Sequence, residues 1–222
     1  MNVFIVYAHA EPASFNGAAL QTAVNTLSDA GHSVTVSNLY AMGFNPVSGR
    51  HNFTSEWDPD YFKQQAEETH ASAIDGFSED IETELARVEA CDLMIWQFPL
   101  WWFGLPAILK GWVDRVFAMG RVYEYGRIYK TGAFRNKRAL LSLTTGGHAA
   151  EFARNGVYGD IDSMLWPIQH GILQFTGFSV LAPHIVFGVP WLDDSARIAA
   201  LAGWRMRLNA IEGETPVNTV LL

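Results

Sequence analysis

Short apolar runs alternate along the chain with longer stretches whose apolar residues recur three and four apart. Residues 2–8 (Asn-Val-Phe-Ile-Val-Tyr-Ala) are rich in β-branched side chains and predict a strand buried on both faces. A loop over residues 9–14 leads into a helix capped by Ser14 or Asn16. Leu20, Ala23, Val24 and Leu27 form its apolar face, and Gly31 ends it. Residues 32–39 alternate around Val34 and Val36 and predict a second strand. This βαβ opening starts a parallel sheet.

Residues 40–60 are irregular and rich in Gly, Pro, Asn and Ser. Residues 61–73 predict a polar, weakly amphipathic helix that makes an excursion on the surface. Residues 78–90 predict a helix with Ile81, Leu85 and Val88 on one face. A third strand spans 92–98. A helix over 105–117 presents Ile108, Leu109, Trp112, Val113 and Val116. After a Tyr- and Gly-rich loop over 119–134, residues 137–144 give the fourth strand. Residues 151–160 read as a loop and 161–175 as a strongly apolar helix. Residues 178–187 give a fifth strand. The last helix, 194–211, turns Ile198, Leu201, Trp204, Leu208 and Ile211 inward. Five strands separated by helices predict an α/β doubly wound parallel sheet with helices on both faces. No repeat or linker divides the chain, so residues 1–222 read as one domain.

Composition narrows the possible functions. A formal charge of -8 argues against nucleic acid as a main partner, because phosphate binding needs a basic face. The 8 Trp and 14 Phe suit a planar ligand, a large interface or a well-filled core. The single cysteine, Cys91, excludes an internal disulfide and reads as a small packed residue. Met1 runs straight into a strand, and no apolar run reaches the ~18 residues of a membrane span, so a cytoplasmic location is expected. The dinucleotide glycine fingerprint, the P-loop, the nucleophile elbow and H-E-x-x-H are missing. Seven scattered histidines show no ligand spacing.

Three motifs fall at the carboxyl ends of predicted strands. After the first strand come His9, Ser14, Phe15 and Asn16, which are either a plain helix cap or an anion site made of helix-start N–H groups, the Ser14 hydroxyl and the Asn16 amide. After the third come Pro99, Leu100, Trp101, Trp102, Phe103, Gly104, Leu105 and Pro106. The prolines hold this aromatic group in a fixed loop that either packs the next helix or walls a flat ligand. After the fourth come Thr144, Thr145, Gly146 and Gly147, a turn whose glycines also let backbone approach a ligand. Together the three suit a flavin, with phosphate at the first loop and the ring system between the other two.

The run from Phe98 to Phe117, with Pro-Leu-x-Trp-Phe-Gly-x-Pro-Ala-Ile-Leu-Lys-Gly-Trp, resembles the signature of the NAD(P)H:quinone oxidoreductase family of the DT-diaphorase type. Residues 38–46 (NLYAMGFNP), 141–147 (LSLTTGG), 165–173 (LWPIQHGIL) and 214–216 (ETP) agree in order and spacing. The resemblance implies a flavodoxin-like fold, bound FAD, and a homodimer with its active site at the interface. It implies two-electron ping-pong hydride transfer from NAD(P)H through FAD to quinones, and also to azo or nitro compounds. It assigns FAD contacts to His9, Ser14, Phe15 and Asn16, to Pro99, Leu100, Trp101, Trp102 and Phe103 on one side of the ring, to Thr144, Thr145, Gly146 and Gly147 on the other, and to Phe152 and Arg197. It assigns the substrate pocket to Trp102 and Phe103, with Phe175 as a further wall and Tyr123 and Tyr125 reaching across the dimer.

The chain departs from that pattern in three places. Trp101 replaces the usual glutamine of the aromatic loop. Phe152 and Tyr158 stand where the mammalian enzymes have a tyrosine and a histidine proposed to stabilise the reduced flavin. Phe152 cannot donate a hydrogen bond, so Gly147, Tyr158 and His148, or water, are left to handle charge and protons. One mammalian branch binds zinc through two histidines four apart and a late cysteine; here His170 is followed by Gln174, and no metal is expected. Two other readings are an ancillary regulatory subunit of a membrane transporter and a flavodoxin-like electron carrier. The first would keep its effect on ion efflux without turnover. The second would hold a stable one-electron reduced state.

Overall fold

Alternation along the strands sorts the core into two layers. In the computed structural model, which describes residues 1–217, strand β1 (Asn2–Tyr7) turns Phe4 and Val6 to one side and Val3 and Ile5 to the other. The same division runs through β3 (Leu93–Pro99) and β4 (Arg138–Thr144). A strand covered on both faces reads as a continuous apolar run, and all seven residues of β3 are buried.

Helix α1 (Phe15–Asp29) packs Ala19, Ala23 and Leu27 on the Val3–Ile5 face, beside Trp204 and Leu208 of α6 (Asp194–Asn209). The other face is covered by α3 (Glu79–Ala90), α4 (Ala107–Val116) and α5 (Ile161–Ile168), through Ile81, Leu85, Leu109, Trp112 and Leu165. With β2 (Ser33–Asn38) and β5 (Ser179–Val180), the parallel sheet runs in the order β2-β1-β3-β4-β5. The sequence order reverses between β1 and β3, and that reversal opens a crevice at the carboxyl ends of the strands.

The predicted elements need four corrections. The fifth strand is two short pieces, β5 and β6 (His184–Val186), both paired with β4. Pro183 stands between them; it has no N–H for the ladder and restricts the residue before it. The helix over 161–175 is α-helical only to Ile168, and Gln169–Gln174 is a π-turn. Pro167 removes a donor just before that point. Ile198 on α6 faces solvent, 68% exposed, because the buried stripe of that helix runs through Trp204 and Leu208. Helix α2 (Gln64–Ile74) is more than a surface excursion, since Glu67, Glu68 and Ala71 are buried.

Candidate active site

Each rim loop has local chemistry that fixes its backbone. At the start of α1, Ser14 Oγ accepts the Gly17 N–H at 3.1 Å, while the Phe15 and Asn16 N–H groups have no partner among the described residues. Asn16 is buried. Its amide nitrogen donates to Thr144 Oγ1 at 2.8 Å, and its oxygen accepts from Gln97 at 2.7 Å, so the first and third loops are tied together. His9 Nδ1 lies 3.0 Å from the Glu11 amide nitrogen and 3.2 Å from the Glu11 carbonyl oxygen, which ties the ring to its own loop.

The aromatic loop is a tight turn. Gly104 N–H donates to Trp101 C=O at 3.0 Å, and the two residues between them, Trp102 and Phe103, have φ of 51° and 57°. A turn with two central residues in the left-handed region normally takes Asn and Gly, and costs roughly 1–2 kcal/mol per larger residue. The expense throws both side chains outward, and Trp102 is 96% exposed. Their N–H groups also have no partner among the described residues. Trp101, the family departure, packs its ring 6.0 Å from that of His9 and closes the groove beside it.

Between these loops lies a groove of about 430 Å³ lined by His9, Ser14, Phe15, Asn16, Pro99, Leu100, Trp101, Trp102, Thr144, Thr145 and Gly146. A Cβ added at Gly146 would meet no atom of the described residues within 4 Å, so the glycine leaves its face open. Val189 and Pro190 complete the lining, and the sequence reading missed them. The available signal was Gly188-Val-Pro-Trp, a turn motif directly after the last strand on the same rim.

Other predicted residues adjoin this groove or lie apart from it. Phe103, Phe152 and Tyr158 form one aromatic cluster, with ring separations of 5.7 Å (Phe103–Tyr158) and 5.2 Å (Phe152–Tyr158). The cluster packs over Gly147, where an added Cβ would lie 2.7 Å from the Tyr158 ring. His148 N–H donates to Glu151, and its ring lies 6.2 Å from that of Trp191. Arg197 is exposed on the first turn of α6 and does not line the groove.

Tyr123 and Phe175 meet at 5.7 Å in a second cavity of about 500 Å³, whose walls include Gln65, Glu68 and Asp114. Gln65 donates to the Tyr123 hydroxyl at 3.1 Å. Burial raises the Tyr123 pKa above its ordinary value. It does the same to Glu68, partly offset by the Met119 N–H that donates to that carboxylate. Tyr125 is fully exposed. Within one chain, then, the Tyr123–Tyr125–Phe175 group and the groove are separate. Cys91 is buried and its thiol is pushed up to about 11, first by loss of solvent, which leaves it inert.

Comparison with known proteins gives the family and the fold. A family profile described as flavodoxin-like fold matches residues 1–208. Mouse ribosyldihydronicotinamide dehydrogenase [quinone] is 46% identical over 97% of this chain and 94% of its own length. Rat NAD(P)H dehydrogenase [quinone] 1 is 46% identical over 96% of this chain and 78% of its own. A crystal structure from Klebsiella pneumoniae, described provisionally as a quinone reductase, superposes with a TM-score of 0.94 at 36% identity, covering 98% of this chain and 87% of that one. With its rim loops, its sheet order and these relatives, the chain belongs to the NAD(P)H:quinone oxidoreductase family on the flavodoxin-like fold.

Proposed function

We propose that this protein is an FAD-dependent NAD(P)H:quinone oxidoreductase that works as a homodimer by a ping-pong cycle. One observation carries the reading: three loops from separate strands meet at the β1–β3 reversal in one groove, each presenting unpaired backbone N–H groups or an open glycine face. The residues present fit a flavin. The Phe15 and Asn16 amides at the start of α1 suit the diphosphate. The wall from Pro99 to Trp102 and the loop from Thr144 to Gly146 suit the two sides of a flat ring. When bound, the flavin supplies hydride acceptance from the reduced nicotinamide and hydride donation to the quinone.

The chain's own part is orientation and charge. Trp102 and Phe103 offer ring faces for stacking, and their N–H groups and that of Gly147 offer donors to developing negative charge. Phe152 is buried and excludes water beneath Phe103, and the Tyr158 ring packs beside it, its hydroxyl a candidate proton carrier. The exposed Trp102 and Tyr125 support the dimer: in this reading one protomer's aromatic loop and the partner's tyrosine loop together enclose a substrate that neither encloses alone.

The reading is tested by releasing and identifying the bound flavin, then reducing the protein anaerobically with NADH, NADPH and dihydronicotinamide riboside. FAD and complete reduction by at least one donor are expected. No bound flavin, or initial-rate lines that intersect rather than run parallel, would refute it. Among the described residues, no helix is long and apolar enough to cross a membrane.

A further inference from the structure

The loop with the paired glycines is held by residues 188–191, a segment whose Trp191 the catalytic reading does not use. Gly188 N–H donates to Thr145 Oγ1 at 3.3 Å, Val189 N–H to the Thr145 carbonyl at 3.1 Å, and the indole Nε1–H of Trp191 to the Gly146 carbonyl at 3.1 Å. In a trans peptide the C=O and the following N–H are coplanar and point in opposite directions, and the described residues contain no cis peptide. Holding the Thr145 carbonyl therefore turns the Gly146 N–H to the opposite side of the loop. Holding the Gly146 carbonyl does the same for the Gly147 N–H. The next peptide is fixed as well, because Thr145 Oγ1 donates to the Gly147 carbonyl at 2.7 Å and His148 N–H donates to Glu151 at 2.7 Å. Among the described residues, no acceptor takes the Gly146 or Gly147 N–H. Glycine backbone is otherwise the least restrained of any residue.

We infer that Trp191 is a positioning residue: its indole N–H, with the Val189 amide, sets the direction of the Gly146 and Gly147 N–H pair toward the bound ring and so favours the reduced, more negative form of the flavin. This rests on the proposed flavin site. Trp191 suits the role without being a core residue. The residue is 71% exposed, and beyond its backbone N–H to the Gly188 carbonyl its side chain is tied to the fold by the indole N–H contact and the ring contact to His148.

Two variants separate the N–H from the ring. Trp191→Phe keeps an aromatic ring and removes the donor. Trp191→His keeps a donor, since imidazole Nε2 is reached from Cβ by the same path of bonds as indole Nε1. In FAD-loaded protein, Trp191→Phe should lower the preference for reduced over oxidised flavin about tenfold, a midpoint shift of about 30 mV to the negative for a two-electron couple. Trp191→His should stay near the parent protein. KM for the quinone should hold while kcat falls in Trp191→Phe. In flavin-free protein, the amide order parameters of Gly146 and Gly147 should drop from the rigid range near ~0.85 in the parent toward ~0.6 in Trp191→Phe. Unchanged potential and unchanged order parameters in Trp191→Phe would overturn the inference, as would equal shifts in both variants. A parent protein that takes up no flavin would instead refute the functional reading, and the order parameters would still decide whether the clamp exists.

Discussion

The two glycines of residues 144–147 play different parts, and the difference is measurable. A Cβ at Gly146 meets nothing within 4 Å among the described residues, whereas one at Gly147 would lie 2.7 Å from both Glu151 and the Tyr158 ring. Gly146→Ala should therefore melt with the parent protein yet bind flavin at least ~10-fold more weakly, since its methyl enters the space left for the ring. Gly147→Ala should itself lose about 1–3 kcal/mol, because Tyr158 and Glu151 must move. Thermal melts of flavin-free protein, paired with flavin titrations, separate the two. Equal melting losses would contradict this division. The groove residues were legible in the sequence because their types (Ser and Asn at a helix start, aromatics between prolines, paired Gly) each have a local physical reason to sit at a strand end. Trp191 was not legible. Its contribution is a hydrogen bond to a carbonyl 45 residues away, and nothing in its neighbourhood signals that partner. The turn at Trp102–Phe103 was not legible either: its left-handed backbone runs against the preference of both residues.

At the scale of elements, β6 and α6 share a pH-sensitive contact. His184 stacks on Trp204 at 4.3 Å, and its pKa is lowered to about 4, first by burial and then by the charge of Arg207. The unfolded chain takes up that proton near the ordinary value of ~6.5. It therefore binds more protons than the folded chain between those two values. The contact's contribution is complete above about pH 6.5 and is lost as pH falls toward 4. His184→Phe, which retains a ring against Trp204, should flatten the dependence of Tm on pH across that window; a slope identical to the parent's would show that His184 does not carry it. Element positions were largely readable from apolar periodicity. The failures lie where tertiary contacts override it: Pro183 splits the fifth strand, and buried carboxylates bring the polar helix α2 inside. Glu67 accepts the Trp57 N–H and Glu68 the Met119 N–H, contacts that anchor the loop before α2 and the loop after α4.

For the whole molecule, the claim is that a complete site needs two chains. The groove and the Tyr123–Phe175 cavity are separate within one chain, and Tyr125 touches neither wall. Trp102→Ala and Tyr125→Ala should each be poorly active alone. Mixed after denaturation and refolding, they should regain about a quarter of parent activity, because half the dimers are mixed and each holds one intact site of two. No recovery on mixing would place both residues in the same site of one chain.

The most direct test of the central claim is a single anaerobic cycle on FAD-loaded protein followed at the visible flavin band. One equivalent of NADH or NADPH should bleach the band fully. After removal of the oxidised nicotinamide, one equivalent of a benzoquinone should restore it fully, in two separate phases. A band that bleaches only in the presence of quinone, or that stops at a stable half-reduced level, would contradict the account.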